Sequence, residues 1–587
     1  MTSSLSNSIS SLNSVAMGDK KADLVLINCT LLSVYTREII PKIQIAIIDD
    51  RIAYVGFDAR HTIGNKTTTI DVKEKYVGPG FADPHLHIDQ FVLPSELAKK
   101  SLLCGVTSLF SDPIDIVSVS GYKGFQEFLK LGEDLPIRIF QVVPGGLPVD
   151  SKFSSTKTLS LSQEKLAIKH PHVLGLGEVF SWTKVILRDS KTMKSLSAML
   201  EVDCIINGHT AGASDKKLNA YVASGILSCH EPINYDQVLE RLRLGMWIMI
   251  REGSIRRDLK EIIPSLLSNG INFDRLMFCS DGLDPIDIVK HGHIDHCIRE
   301  SIKFGLKPID AISMASKNCF DYYKMSKDLG GIAPGKLADI LIFDDLKSIK
   351  PNKVFVGGKL VVSNGNIVTS IKKKTIAPWI KKTVKLKQLS TKDFAIATKN
   401  NSIIANTIFM ETEIITKLGS AELFSRDGNV LASLDKDVWK VAAFDRIHGT
   451  NKKSIGFLEN FGADIGAVAS TWSFHENNMV VIGSSDSDMS IAANTLIKNQ
   501  GGIVVIKSGK IIASLPLQLA GIISTDPFEK VLFNFEKINN SIIDSGCKFS
   551  RPHLIPLFLT FLALPSIRIT SGGIVDVKMR SYINPIQ

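Results

Sequence analysis

Six side chains have the types and spacing to hold metal: His85, His87, Glu178, His209, His230 and Asp281. His85 and His87 stand one residue apart in "PGFADPHLHID". Residues i and i+2 of an extended strand share a face, so the two imidazoles can grip one ion as a chelate. Glu178 lies in "GLGEVF", His209 in "INGHT", His230 in "SCHE" and Asp281 in "FCSDG". Four imidazoles and two carboxylates suffice for two divalent ions, with Glu178 able to bridge them, and such a binuclear centre supplies hydroxide for hydrolysis at neutral pH. Taken singly, each histidine is more often a hydrogen-bonded structural residue, Glu178 a salt-bridge partner and Asp281 a helix cap. Taken together, all six fall at the polar ends of apolar runs.

The elements that must position them are short. The runs "TSLFSDP", "IRIFQVVPG", "VLGLGEVF", "CIINGHT", "ILSCHEP", "MWIMIREG" and "RLMFCSDG" are nearly all apolar and end in a polar or glycine-bearing tip. That is the pattern of parallel strands covered on both faces. Helical segments alternate with them: "SDKKLNAYVASG" has a cap at Ser214 or Asp215, apolar Leu218, Tyr221 and Val222 at i, i+3 and i+4, and Gly225 as a stop. With "GPGFADPHLH" as the first, eight strands predict an α/β fold with a closed (β/α)8 TIM barrel over residues 79–330, a doubly wound open sheet being the alternative. Strand tips of such a barrel converge on one mouth. His230 follows His209 by 21 residues, room for one helix and one strand, so the ligands land on different strands.

Around the barrel, "ADLVLINCTLLSV" and "KIQIAIIDDRIAYVG" are β-rich, and the same texture returns in "GKLADILIFDD" and "VFVGGKLVVSNG". They predict a composite β-sandwich from residues 19–78 plus 331–370. The Ser/Asn-rich residues 1–18 read as a disordered tail, and 371–388 as a solvated, flexible basic linker. Residues 389–587 form an additional C-terminal α+β domain, expected to cover the barrel mouth or to build a dimer interface.

The bulk properties exclude several partners. Lys and Arg exceed Asp and Glu by 10, but the surplus is diffuse outside lysine runs at 372–374 and 381–387, where no aromatic residues interleave as a nucleic-acid stacking platform needs. The eight cysteines form no C-x-x-C pair and read as reduced thiols, which with the lack of an apolar leader points to the cytoplasm. The most apolar tract, "LIPLFLTFLALPSI" at 554–567, carries two prolines and is shorter than the ~20 residues a bilayer needs.

The stretches "PGFADPHLHID", "GLGEV", "NGHTAG…LNAYVASGILSCHE", "LRLGMWIMIREGS", "GHID" and "DLGGIAPGKLADILIFDD" closely resemble the bacterial and archaeal adenine deaminases of the amidohydrolase superfamily. "GGIVVIKSGKIIASLPLQLAGIIS" is similar to that family's terminal domain. The resemblance implies hydrolysis of adenine to hypoxanthine and ammonia in purine salvage, with manganese or iron held by His85, His87, Glu178, His209, His230 and Asp281. Asp281 would take and return the proton, and Glu231 would orient His230 or act in proton transfer. "REGS" offers Arg251, Glu252 and Ser254 to a purine edge, or else Arg251 and Glu252 pair at the rim. His293 reads as structural. Departures from the family pattern fall at Asp89, Gln90, Ile114, Asp115, Cys229, Ser280, Gly282 and residues 474–478, "FHENN". They leave room for a relative acting on another amino-purine or cyclic amide, or for a binding or scaffold paralogue. A homodimer is expected.

Overall fold

The structure is a computed structural model that describes residues 4–587. Eight short strands form the barrel, here labelled β1 (Phe81–Leu86), β2 (Val106–Ser111), β3 (Arg138–Val143), β4 (Val173–Val179), β5 (Ile205–Gly208), β6 (Ser228–Cys229), β7 (Trp247–Arg251) and β8 (Leu276–Cys279). Each coincides with an apolar run expected to be a strand. β1 to β5 pair in order and in parallel, as do β6 to β8. The Ser228 hydroxyl accepts from the Gly208 amide at 3.2 Å, linking β5 to β6. At the other seam the Asp281 amide donates to the His85 carbonyl at 3.0 Å, and the Asp281 carbonyl accepts from the His87 amide at 2.9 Å. The stitch that closes the barrel therefore runs through three expected ligands.

Below the mouth the interior is filled rather than open. Phe110, Phe140 and Tyr323 stack with ring centroids 4.0 and 5.1 Å apart, and the Tyr323 hydroxyl donates to the Pro84 carbonyl at 2.7 Å, just beneath the histidine pair. The expected helix between His209 and His230 spans Asp215–Val222, with Leu218 and Tyr221 buried. Gly225 follows it at φ 84°, the left-handed region where glycine is favoured.

Strands from both flanks of the barrel meet in one nine-stranded sheet, with Ile340–Phe343 antiparallel to Tyr76–Pro79. Leu26, Ile45, Ile47 and Val77 from before the barrel bury against Ile340, Ile342 and Phe355 from after it, so the sheet closes over its own core.

Two expectations are corrected. Residues 5–17 of the expected tail form a helix, Leu5–Met17; residues 1–3 lie outside the described residues. Leu12 and Val15 bury against Val25, Ala46 and Ile48 of the flanking sheet, and the Gly18 amide caps the helix end on the Val15 carbonyl. The serines mask the sparse apolar stripe that docks it. The expected basic linker 371–388 is solvated over its first part, but residues 380–386 pack. Ile380, Val384 and Leu386 are buried while Lys385 and Lys387 face out, and the Lys385 amide donates to the Arg446 carbonyl at 2.8 Å. Alternation of apolar and charged residues, not charge alone, decided its fate.

The chain after this strap builds a second nine-stranded sheet, from strands between residues 402 and 516, and the helix Phe528–Ile543. It lies on the barrel mouth: the Phe91 amide donates to the Ile522 carbonyl at 3.0 Å, and the Phe91 ring meets Trp472 and Phe535 at 4.1 and 4.7 Å. The apolar tract at 554–567 contributes a short buried helix, Leu554–Phe558. Among the described residues no helix is long and apolar enough to cross a membrane, and all eight cysteines are free.

Candidate active site

The strand tips bring His85, His87, Glu178, His209, His230 and Asp281 together. His87 Nε2 lies 3.3 Å from Glu178 and 3.5 Å from Asp281; His230 Nε2 and His209 Nδ1 lie 3.3 and 2.7 Å from the other Glu178 oxygen. His85 Nε2 is 3.6 Å from Asp281. Glu178 thus touches three imidazoles, one oxygen toward His87 and the other toward His209 and His230. Glu231 joins them, 3.3 Å from His230 and 3.6 Å from His209. Three triads have mutually close donor atoms: His85 with His87 and Asp281, His85 with Glu178 and His230, and His209 with His230 and Glu231. The mouth therefore offers seven donors rather than six.

The donor set fits divalent metal. His85 Nε2 is buried with no hydrogen-bond partner among the described residues, a costly state for a polar atom unless a ligand satisfies it. His87 is aimed by its other nitrogen: Nδ1 donates to the Asp112 carbonyl at 2.8 Å, leaving the Nε2 lone pair toward the carboxylates. Asp281 sits at φ 59°, a left-handed conformation that Asp tolerates better than most residues.

Charge in the mouth is tightly organised. Burial alone would raise the pKa of Glu178, but bonds from His209, His230 and His87 outweigh it and hold the carboxyl well below its ordinary value. Asp281 is also well below, burial being outweighed by His85 and His87. Burial lowers His87, and the Asp281 and Glu178 bonds more than reverse it; Glu178 and Glu231 do the same for His230. His85 is lowered by burial and by the charge of His230. A cation is built into this constellation, whether proton or metal, and metal binding would release protons.

The other expected site residues divide. Arg251 is buried and salt-bridged to Glu231, to Asp258 at 3.1 Å and to Asp281 at 3.7 Å. Glu252 does not pair with it. Its carboxylate faces His296 at 3.6 Å and accepts from the Leu259 amide. The Ser254 hydroxyl accepts from the Asp284 amide at 2.8 Å, in the turn before the helix Pro285–Lys290. The REGS turn therefore brings Arg251 to the ligand cluster and leaves Glu252 and Ser254 in structural bonds behind it. His293, expected to be structural, pairs with Asp83 at 2.8 Å and contacts Ser101 at 3.2 Å.

Sequence reasoning missed Asp112. Its Oδ2 accepts from the Glu178 amide at 2.8 Å and so fixes the backbone at Glu178. Gly177 makes room for it: a Cβ there would stand 2.1 Å from Asp112 Oδ2. The signal was present, since Asp112 is the polar tip of the "TSLFSDP" strand. The other group is the loop 471–478 joining the antiparallel strands Ala467–Ser470 and Met479–Gly483, whose residues 474–478 stood out in the sequence without their place at the mouth being foreseen. All eight of its residues are buried. The His475 amide and the Asn477 side chain donate to Asp115 Oδ1 at 3.2 and 3.0 Å, and Gln90 donates to the other Asp115 oxygen at 3.2 Å.

Comparison with known proteins now bears on this geometry. The amidohydrolase family model matches residues 76–361, and that of the adenine deaminase C-terminal domain matches residues 413–581. An adenine deaminase of Cenarchaeum symbiosum (strain A) is 58% identical over 579 residues, covering 99% of this chain and 95% of that one. The chain belongs to the adenine deaminase family. A family member from Clostridium botulinum (strain 657 / Type Ba4) is 33% identical across 98% of this chain and 96% of its own. Among solved structures, the β-aspartyl dipeptidase of Fervidobacterium islandicum AW-1 aligns with 59% of this chain and 99% of its own, at 18% identity and TM-score 0.46. Membership of the adenine deaminase family implies a divalent metal. Of the positions where the sequence departs from the pattern it resembles, Gln90, Asp115, His475 and Asn477 meet in the hydrogen-bonded group just described.

Proposed function

We propose that this chain deaminates adenine by hydrolysis, releasing hypoxanthine and ammonia. The observation that supports this reading most is the meeting of His85, His87, Glu178, His209, His230, Glu231 and Asp281 at one barrel mouth. When bound, a pair of divalent ions, manganese or iron, supplies a hydroxide nucleophile at neutral pH. Glu178, with one oxygen toward His87 and the other toward His209 and His230, would help hold both ions. Asp281, at the seam beside His85 and His87, accepts the proton of the attacking water and returns it to the exocyclic amine, which leaves as ammonia. Arg251 neutralises Glu231, whose carboxyl is held far below its ordinary value as burial is outweighed by Arg251 and His209. Glu231, 3.3 Å from His230 and 3.6 Å from His209, orients those rings. Closure of the mouth by the third unit excludes bulk water.

This reading also places the enzyme in the cytoplasm, in purine salvage, as a homodimer, the last tested by sedimentation of the full chain. The decisive assay is ammonia release by manganese-loaded protein from adenine, methylated adenines, other amino-purines and cyclic amides. Turnover of adenine above the rest supports the reading; turnover of another member alone transfers the activity to that substrate.

A further inference from the structure

A hairpin tip is ordinarily a solvent-facing element, because its backbone polar groups are satisfied most cheaply by water. The tip "TWSFHENN" at 471–478 is instead buried throughout and inserted against the barrel mouth. Its anchoring is specific. Besides the Asp115 bonds, the Asn477 side chain donates to the Ser118 hydroxyl at 2.7 Å, and the Ser155 amide donates to Glu476 at 3.2 Å. These contacts use the Asn477 Nδ2 and the Glu476 carboxylate, and leave Asn477 Oδ1 and His475 Nδ1 without hydrogen-bond partners among the described residues.

The His475 ring is 4% exposed, yet its Nδ1 has no hydrogen-bond partner among the described residues. The ring packs on Phe180 with centroids 4.8 Å apart, and Phe180 in turn lies 6.4 Å from the His209 ring. Phe561 closes the opposite side at 4.7 Å. Besides burial, which lowers its pKa to about 3, the charges that reach it are those of Glu178, His87, His209 and Asp281. The residue stands at φ 59°, a left-handed conformation uncommon for histidine and held here by the Asp115 bond to its amide. A neutral imidazole, wedged beside an aromatic ring next to the ligand cluster and bonded to nothing, has the form of a recognition group waiting for a planar polar partner.

We propose that His475 is a substrate-contact residue: through Nδ1 it hydrogen-bonds a ring nitrogen of the purine, with Phe180 beside it, so that the C-terminal domain supplies a specificity determinant at the barrel mouth. This rests on the adenine-hydrolysing reading above, and the partner is chemically defined as a planar heterocycle with an edge nitrogen. Removing a hydrogen bond made to a buried polar group weakens binding by about 10-fold or more.

The test uses the full-length manganese-loaded chain, with wild type assayed first on adenine. An inactive wild type fails the parent reading. Given an active wild type, His475→Ala is expected to raise KM for adenine about 10-fold or more at unchanged metal content, and His475→Gln, which keeps a polar group, to recover part of that loss. Inhibition by 1-, 3- and 7-deaza analogues of adenine then identifies the edge: the analogue lacking the contacted nitrogen should bind wild type weakly and lose that penalty in His475→Ala. Unchanged KM in both variants, an undiminished deaza penalty, or loss of metal from both variants would overturn the proposal, the last by assigning the ring to the metal centre.

Discussion

Two sets of carboxylates share the barrel mouth. Glu178, Glu231 and Asp281 sit among imidazoles and Arg251, whereas the carboxylates of Asp89, Asp112 and Asp115 accept from the amides of Ile116, Glu178 and His475. Burial penalises the charged form in both. In the first set cationic neighbours overwhelm that penalty and the acids stay ionised. In the second they do not: burial, followed by the charge of Asp115, raises Asp89 to about 7, and burial, followed by the charge of Glu178, raises Asp112 to about 8. Asp115 is also raised, by burial. Equal burial thus yields opposite chemistry, and the neighbour decides. The inner acids are built to face cations, the outer acids to accept backbone and amide hydrogens as a scaffold.

The contrast can be broken most severely from the inside. His87→Ala removes half of the chelate and leaves Glu178 and Asp281 short of a partner; turnover should fall by more than the ~10–100-fold typical of an outer-shell partner, with metal content falling in parallel by elemental analysis. Glu178→Gln should be nearly as damaging, since a neutral amide cannot bridge two cations. Asp112→Asn sharpens the comparison: near neutral pH the acid is already close to its neutral form, so the amide should retain metal and cost within about 10-fold in activity, whereas Asp112→Ala, which strips the Glu178 amide of its acceptor, should cost more. A result in which Asp112→Asn equals Glu178→Gln would erase the distinction between the two sets.

The smallest effect expected lies at the hairpin anchor. Burial raises Glu476 to about 7, and the Ser154 and Ser155 bonds only partly offset it. A carboxyl whose folded value lies above its unfolded one contributes stability that is fully present below about pH 4.5 and is lost as pH rises through about 7. Hydrogen exchange in residues 471–478 should therefore quicken, beyond the intrinsic increase, as pH passes from about 5 to about 7, and Glu476→Gln should flatten that excess. A pH-independent protection factor in wild type would contradict it.

The inner set was legible in the sequence because each member terminates an apolar run, and a barrel turns that one-dimensional regularity into convergence. The same regularity made all eight strands readable. Asp112 obeyed it and needed only to be read as a tip. The outer scaffold was harder, since Asp115 acts through Gln90 and through a hairpin some 360 residues later, and no local period encodes that meeting. Glu252 and Ser254 neighbour Arg251 in sequence, but the turn after β7 directs their side chains toward His296 and the Asp284 amide, a divergence that no local spacing encodes. The N-terminal helix and the lysine-rich strap failed for composition reasons, because few apolar residues, correctly spaced, outweighed many polar ones.

The central claim is that the strand-tip donors hold a pair of divalent ions that make adenine hydrolysable. It is tested most directly by titrating the metal-stripped full chain with manganese while following ammonia release from adenine. Activity rising to a plateau at about two equivalents per chain, and absent without metal, is the result predicted. Ammonia release that survives complete metal removal, or a plateau that His87→Ala and Glu178→Gln leave untouched, would contradict it.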